Sequence, residues 1–221
     1  MGTVIEHPPE TDLGTRVARG TAALGLELDS EQVRRLVDYL QLLVRWNGVY
    51  NLTAVRDPIQ MVATHLLDSL AVAPLVRELH AVRLLDVGSG AGLPGIPLSI
   101  ALPELAVSLV DAVGKKIAFL NQVKGVLRLD FTPIHARVEA LTTASNYDCI
   151  VSRAFSSLAD FTAASAHLLA PQGTWIALKA QDPGDEIRAL PDGIEVVRVV
   201  ALDVPDLDAQ RCAVLMRPRA S

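Results

Sequence analysis

Asp86 stands two residues before the first of four glycines in Asp86-Val87-Gly88-Ser89-Gly90-Ala91-Gly92-Leu93-Pro94-Gly95. Glycine reaches positive φ and lets a ligand lie close to the backbone. Gly90 to Gly95 formally satisfies the G-x-G-x-x-G pattern of dinucleotide sites, which alone is a weak signal. The acid shifts the reading. A carboxylate there repels a pyrophosphate and suits a cationic ligand, such as the sulfonium and amino-acid end of S-adenosylmethionine. A second acid, Asp111, closes the apolar run Val107-Ser108-Leu109-Val110. A carboxylate at that distance can accept hydrogen bonds from both hydroxyls of a ribose. Together these residues predict S-adenosylmethionine rather than a dinucleotide.

Such a loop needs a strand before it and a helix after it. Leu84–Val87 reads as a short buried parallel strand. Pro94 and Pro97 suit the first turn of a following helix, where a missing N–H has no intrahelical partner. That helix N-terminus adds N–H donors and a partial positive charge. From Val82 onward, strand and helix patterns alternate. Further strands are expected at Val107–Asp111, Thr132–His135, Cys149–Ser152 and Trp175–Leu178. Helices are expected at Lys115–Leu127, Val138–Thr142 and Leu158–Leu169. The alternation predicts a mostly parallel sheet covered on both faces. Glu195–Leu202 and Cys212–Met216 then form an antiparallel hairpin at one edge. Such a sheet is the Rossmann-like α/β architecture expected of class I S-adenosylmethionine-dependent methyltransferases. Ligands in such sheets sit at the carboxyl ends of the strands, so Gly88, Asp111, Arg137–Glu139 and Ser152-Arg153 should border one crevice.

The first eighty residues read differently. Residues 1–11 are polar and proline-bearing, a loose tail without the features of a secretory leader. Met1-Gly2 begins like a myristoylation signal, but Glu6 occupies the required Ser/Thr position. Residues 12–80 form a helical extension. One helix is expected at Leu13–Leu24. A second starts at the N-cap Asp29, shows apolar spacing through Val33, Leu36, Val37, Leu40, Leu43 and Val44, and ends at Asn47-Gly48. A third starts at Asp57-Pro58 and runs over Met61–Leu79, broken near Pro74. Residues 81–221 are expected to form the methyltransferase domain, packed with the extension as one unit.

Composition bounds the function. The chain has 221 residues, 50% hydrophobic, with a net charge of −5. That argues mildly against a general nucleic-acid binder, yet an RNA enzyme needs only a local basic surface. Pro97 and Pro103 interrupt the most apolar region, so no membrane span is expected. Cytoplasm is the expected location. Cys149 and Cys212 lie in apolar runs and read as buried, reduced thiols. No metal-ligand pattern is present.

The turn Ser152-Arg153-Ala154-Phe155 discriminates among methyl acceptors. It lacks the Asn/Asp-Pro-Pro-aromatic pattern that holds an exocyclic amine, and Cys149 lies inside a strand rather than at a nucleophile's position. An acceptor needing neither device fits better. Guanine N7 has a free lone pair and no proton to lose, so no general base is required. N7 must stay free to attack, which leaves Arg153 to hold O6, a phosphate or the cofactor, or simply a surface ion pair. Lys115, Lys116 and Lys179 near the crevice could meet RNA phosphate or serve only as solvated faces. Phe155 could stack on a base. For Trp46 and Tyr50, core packing is the stronger reading, with base stacking the alternative. His65 on an apolar helix reads as a satisfied core histidine.

Four segments resemble a known family. They are Trp46-Asn47-Gly48-Val49-Tyr50-Asn51-Leu52-Thr53, His65-Leu66-Leu67-Asp68-Ser69, Asp86 through Pro97 with its Leu-Pro-Gly-Ile-Pro tail, and Ser152-Arg153-Ala154-Phe155. From about Val33 to Met216 the chain resembles the RsmG, or glucose-inhibited division protein B, family of 16S ribosomal RNA guanine-N7 methyltransferases. The resemblance implies that Gly88, Leu93, Val138, Glu139 and Arg153 bind S-adenosylmethionine. With the residue-level reading, the expected cofactor set is Asp86, Gly88, Gly90, Leu93, Asp111, Val138, Glu139 and Arg153. It also implies a small-subunit rRNA or ribosomal-subunit partner, and the chain is expected to act as a monomer. Two alternatives stay open: a methyltransferase for a small molecule or protein, and a non-catalytic rRNA-binding assembly factor.

Overall fold

The computed structural model describes residues 10–153, 155–180 and 182–219. Most of the expected tail, with its Met1-Gly2 and Glu6, lies outside the described residues, as does Ala154. Seven strands form one sheet in the order β3-β2-β1-β4-β5-β7-β6. They are β1 (Arg83–Val87), β2 (Ala106–Asp111), β3 (Phe131–His135), β4 (Tyr147–Ser152), β5 (Leu169–Lys179), β6 (Ile194–Ala201) and β7 (Cys212–Pro218). The first five pair in parallel, while β7 runs antiparallel between β5 and β6.

Alternate residues of each strand enter different layers, the period-two consequence of the pleat. Leu84, Cys149, Val151, Ile176, Leu178, Ala213 and Leu215 join the larger core cluster. Leu85, Ile150, Trp175, Ala177, Val214 and Met216 join the other. Both faces are therefore apolar, as a helix-covered parallel sheet requires.

The larger cluster is completed by α1 (Glu10–Ala23), α2 (Ser30–Tyr50), α6 (Gly95–Ala101) and α7 (Gly114–Leu127). It also takes in a helical stretch from Pro58 to Glu78. That stretch is segmented: α3 (Pro58–Met61), a π-helical turn over Val62–Leu67, α4 (Asp68–Leu70) and α5 (Ala73–Glu78). By length and hydropathy it would suit a membrane span, contrary to the expectation that no such run exists. Yet 78% of its most apolar window is buried in the protein, so core packing accounts for its composition. The other face is covered by α8 (Leu158–Ser165), through Leu158 and Phe161.

Several expected boundaries shift. α2 begins as expected, with reciprocal Asp29–Gln32 capping bonds of 2.8 and 3.0 Å. The Gln32 amide also donates to the Ile100 carbonyl at the end of α6 (2.9 Å). The helix passes Asn47-Gly48 and ends three residues after Asn47, at Tyr50, because Asn51 supplies the left-handed C-cap (φ 49°). The Asn47 side chain instead braces the following loop, accepting from Thr53 N–H (2.8 Å) and donating to the Val55 carbonyl (3.0 Å). Val138–Ala140 is a single 3-10 turn rather than a helix to Thr142. The helix expected to reach Leu169 ends at Ser165, and Leu169 already starts β5. The short α9 (Gly184–Arg188) has no counterpart in the sequence reading.

Candidate active site

β1 ends at Val87, and the chain turns through Gly88, Gly90 and Gly92 at φ +68°, +60° and +90°. At Gly92 a side chain would be strained twice over. The φ is left-handed, and a Cβ would collide with Ile96. Gly95 is needed for another reason: a Cβ there would strike Leu109 and approach Asp86 Oδ2 to 2.9 Å. Glycine therefore lets the first turn of α6 sit directly on the Asp86 carboxylate.

Asp86 is fully buried. Its Oδ2 accepts the Gly95 N–H at 2.9 Å. Its Oδ1 is buried with no hydrogen-bond partner in the protein. Burial pushes the carboxyl up to about 7, against the opposing pull of the Gly95 N–H and the Arg153 charge. A buried acid with an unused acceptor beside an open glycine turn fits a ligand bringing a positive charge and N–H donors. The α-amino group and sulfonium of S-adenosylmethionine meet that description.

Asp111, at the end of β2, holds the loop from its other side. Its Oδ2 accepts from Gly90 N–H (2.9 Å) and Lys116 Nζ (3.2 Å), and its Oδ1 from Val113 N–H (2.9 Å). Asp111 is thus a brace for the glycine loop, and hydroxyls of a ribose would share its remaining lone pairs. Tyr39 of α2 reaches the same loop, its buried hydroxyl donating to the Ala91 carbonyl at 2.8 Å. Leu93 and Val138 are buried, while Glu139 is exposed in the turn after β3. At the end of β4, Ser152 Oγ donates to the Val87 carbonyl (2.9 Å), tying the two strand ends together.

Arg153 follows directly. Its guanidinium donates to the Thr64 carbonyl (3.2 Å) and to Asp68 Oδ2 (3.4 Å). Asp68 Oδ1 accepts from Arg211 at 2.9 Å. One nearly buried carboxylate therefore joins two arginines from different loops. Asp68, Arg211 and Tyr39 were not picked out as site residues by the sequence reading. The available signal was Asp68 itself, an acid inside the apolar stretch Met61–Leu79, where a buried charge requires a partner. His65, three residues before Asp68, is only half satisfied, contrary to the expectation of a satisfied core histidine. Its Nε2 lies 2.7 Å from Thr53 Oγ1 while its Nδ1 is buried without a hydrogen-bond partner, and burial lowers its pKa.

The four residues considered for RNA separate. Lys115 is exposed and donates to the Tyr50 carbonyl at 3.1 Å. Lys116 is committed to Asp111. Lys179 is 15% exposed and paired with Glu186 at 2.7 Å. Phe155 is half-buried against Phe161, ring centroids 5.5 Å apart. Cys149 is fully buried, its thiol pushed up to about 12 by burial, which makes it a poor nucleophile. Cys212 is only partly buried, less than its apolar context implied. No group of three or more His, Cys, Asp or Glu that could hold a metal ion occurs among the described residues.

A family model described as rRNA small subunit methyltransferase G matches residues 32–215. The ribosomal RNA small subunit methyltransferase G of Polaromonas naphthalenivorans is 50% identical over 217 residues, covering 95% of this chain and 97% of that protein. The protein of the same name from Methylibium petroleiphilum is 53% identical over 208 residues, covering 92% and 94%. Among solved structures, a putative O-methyltransferase from Klebsiella pneumoniae superposes with a TM-score of 0.58 at 13% identity, covering 96% of this chain and 99% of that one. The N-methyltransferase NodS from Bradyrhizobium japonicum, in complex with S-adenosyl-L-homocysteine, superposes with a TM-score of 0.54 at 17% identity, covering 82% and 99%. These two likenesses establish the class I methyltransferase fold.

Proposed function

The chain belongs to the rRNA small subunit methyltransferase G family, and from that premise we propose that it methylates N7 of one guanine in 16S ribosomal RNA, using S-adenosylmethionine. The observation that carries this reading is the loop after β1. There Asp86, with Oδ1 buried and unpartnered, sits in the strand that runs into a turn of glycines with left-handed φ, in a chain half identical over nearly its whole length to named rRNA methyltransferases.

S-adenosylmethionine supplies a methyl group on a positively charged sulfur. The chain's own residues hold and align. Asp86 faces the cationic end, and the backbone of Gly88, Gly90 and Leu93 lines the crevice. Asp111 braces the loop and takes the ribose. Val138 and Glu139 border the far side, and Arg153 fixes the edge nearest the acceptor. N7 needs no base, and the turn from Ser152 to Phe155 supplies none. Positive charge leaves sulfur and appears on the guanine ring, so net charge is conserved and alignment dominates the rate. The deeply buried Cys149 supports this acceptor over cytosine C5, which needs a thiolate. Of Lys115, Lys116, Phe155 and Lys179, Lys115 is the residue best exposed to meet RNA phosphate, since Lys116 and Lys179 are held by Asp111 and Glu186. The partner is small-subunit rRNA, free or within the subunit, and the protein works as a monomer in the cytoplasm.

The test is incubation with labelled S-adenosylmethionine and rRNA from a strain lacking this protein. Borohydride and aniline should then cleave the RNA at one guanine. Label on an exocyclic amine, or rRNA resistant to cleavage, would overturn the N7 acceptor. Label confined to a small molecule or protein would overturn rRNA as substrate.

A further inference from the structure

Four aromatic rings form a column that runs from the core to the surface. Tyr39 and Phe119 are buried with centroids 6.4 Å apart, Trp46 lies 5.5 Å from Phe119, and Tyr50 lies 5.0 Å from Trp46 at an interplanar angle of 30°. Tyr50 is 42% exposed, and beside it Val49, at 71%, is the most exposed large apolar residue among those described. An exposed ring held on a half-buried one loses little freedom when a third flat group stacks on it.

The place matters as much as the ring. Lys115 at the start of α7 donates to the Tyr50 carbonyl, and its neighbour Lys116 holds Asp111, which holds Gly90 of the glycine loop. The exposed ring thus stands at the flank of the crevice. The cations around it are exposed: Lys115, Arg45 one helical turn before Val49, and Arg56, which donates to Asn51 Oδ1 at 2.7 Å. The neighbouring acid, Asp57, already accepts from Ile59 N–H as the N-cap of α3. A locally basic, aromatic surface on a chain of net charge −5 suits a polyanion with flat bases better than it suits an apolar partner.

We infer that Tyr50, backed by Trp46, is a stacking platform for an unpaired RNA base near the target guanine, with Lys115 and Arg56 taking adjacent phosphates. This rests on the reading of the protein as an rRNA methyltransferase. It departs from the sequence reading, which favoured core packing for both rings. Trp46 does pack, and Tyr50 is the free end of that packing.

The test measures binding of the full chain to unmodified small-subunit rRNA, and binding of S-adenosylmethionine by calorimetry, for the same variants. Tyr50→Ala should weaken rRNA binding by between about fivefold and 100-fold. Tyr50→Phe should keep most of the affinity, and both should bind cofactor as the parent does. Lys115→Ala should lower the slope of log affinity against log salt by about 1. An unchanged rRNA affinity in Tyr50→Ala would overturn the inference. So would a Tyr50→Phe defect as large as that of Tyr50→Ala, or a parallel loss of cofactor affinity, which would make Tyr50 a wall of the cofactor pocket. If the parent chain neither binds nor methylates rRNA, the underlying reading fails first, which separates the two failures.

Discussion

Asp86 concentrates the chemistry of the site in one carboxyl. Its pKa near 7 lies above the ordinary 3.8, so the native chain keeps a proton that the unfolded chain releases in between. The native state then binds more protons than the unfolded state, and stability falls as pH rises from about 4 to about 7. Asp86→Asn should remove that fall in urea unfolding measured from pH 5 to pH 8, and an unchanged slope would assign it to another group. A cationic ligand at Oδ1 favours the ionised acid. Binding of S-adenosylmethionine near pH 6.5 should therefore release protons, seen as calorimetric heats that differ between buffers of different ionisation enthalpy. Buffer-independent heats would move the cation's partner elsewhere. The cysteines make the opposite case. A Cys149→Ala/Cys212→Ala variant that folds should methylate rRNA at a near-parental rate, and a folded but inactive one would restore covalent catalysis. Asp86, the glycines and Asp111 were legible in the sequence because each stands at or just past the end of a short apolar strand run. The tie of Asp111 to Gly90 was not, since it depends on how β1 and β2 lie in register.

At the scale of elements, the feature hidden from the sequence is the π turn Val62–Leu67 and the acid after it. A mostly apolar run such as Met61–Leu79, with few polar residues to mark a face, gives little period by which to tell one helix type from another. Asp68 directly follows that turn and meets Arg153 and Arg211, partners 85 and 143 residues away in the chain. Those separations are why the cluster could not be read from spacing. π turns frequently occur at functional sites. Asp68→Ala should destabilise the fold by about 1–3 kcal/mol, the usual loss when buried polar partners are orphaned. It should also weaken cofactor binding by freeing Arg153. A variant with lowered thermal stability but parental cofactor affinity would make Asp68 purely structural. The α2 boundary is a smaller case of the same blindness. Asn47-Gly48 looks like a helix end, but the Asn47 amide is consumed by the loop at Thr53 and Val55, and Asn51 takes over the capping.

For the whole molecule, the order of strands and helices was legible because apolar runs of strand length alternate with helical spacing from Val82 onward. Less legible was how fully the first eighty residues share the sheet's core. Leu13, Val17, Leu36, Leu40 and Leu66 lie in one buried cluster with Leu84, Leu109, Ile176 and Leu215. Removing residues 1–80 would uncover the part of that face that α6 and α7 leave to the N-terminal helices. The fragment 81–221 is expected not to unfold cooperatively in urea and to expose apolar surface to a reporter dye, whereas a monomeric fragment with a sharp transition would show two independent units. The shared cluster and the Asp68–Arg211 pair also bear on how the chain is made. Synthesis proceeds at about 5–20 residues per second, so Asp68 leaves the ribosome roughly 7–30 s before Arg211. During that interval the strands are added one at a time, and β5, once made, still lacks β7 on its open side. A nascent chain of this protein therefore cannot complete its buried cluster until its last strand, which brings Ala213 and Leu215, is translated.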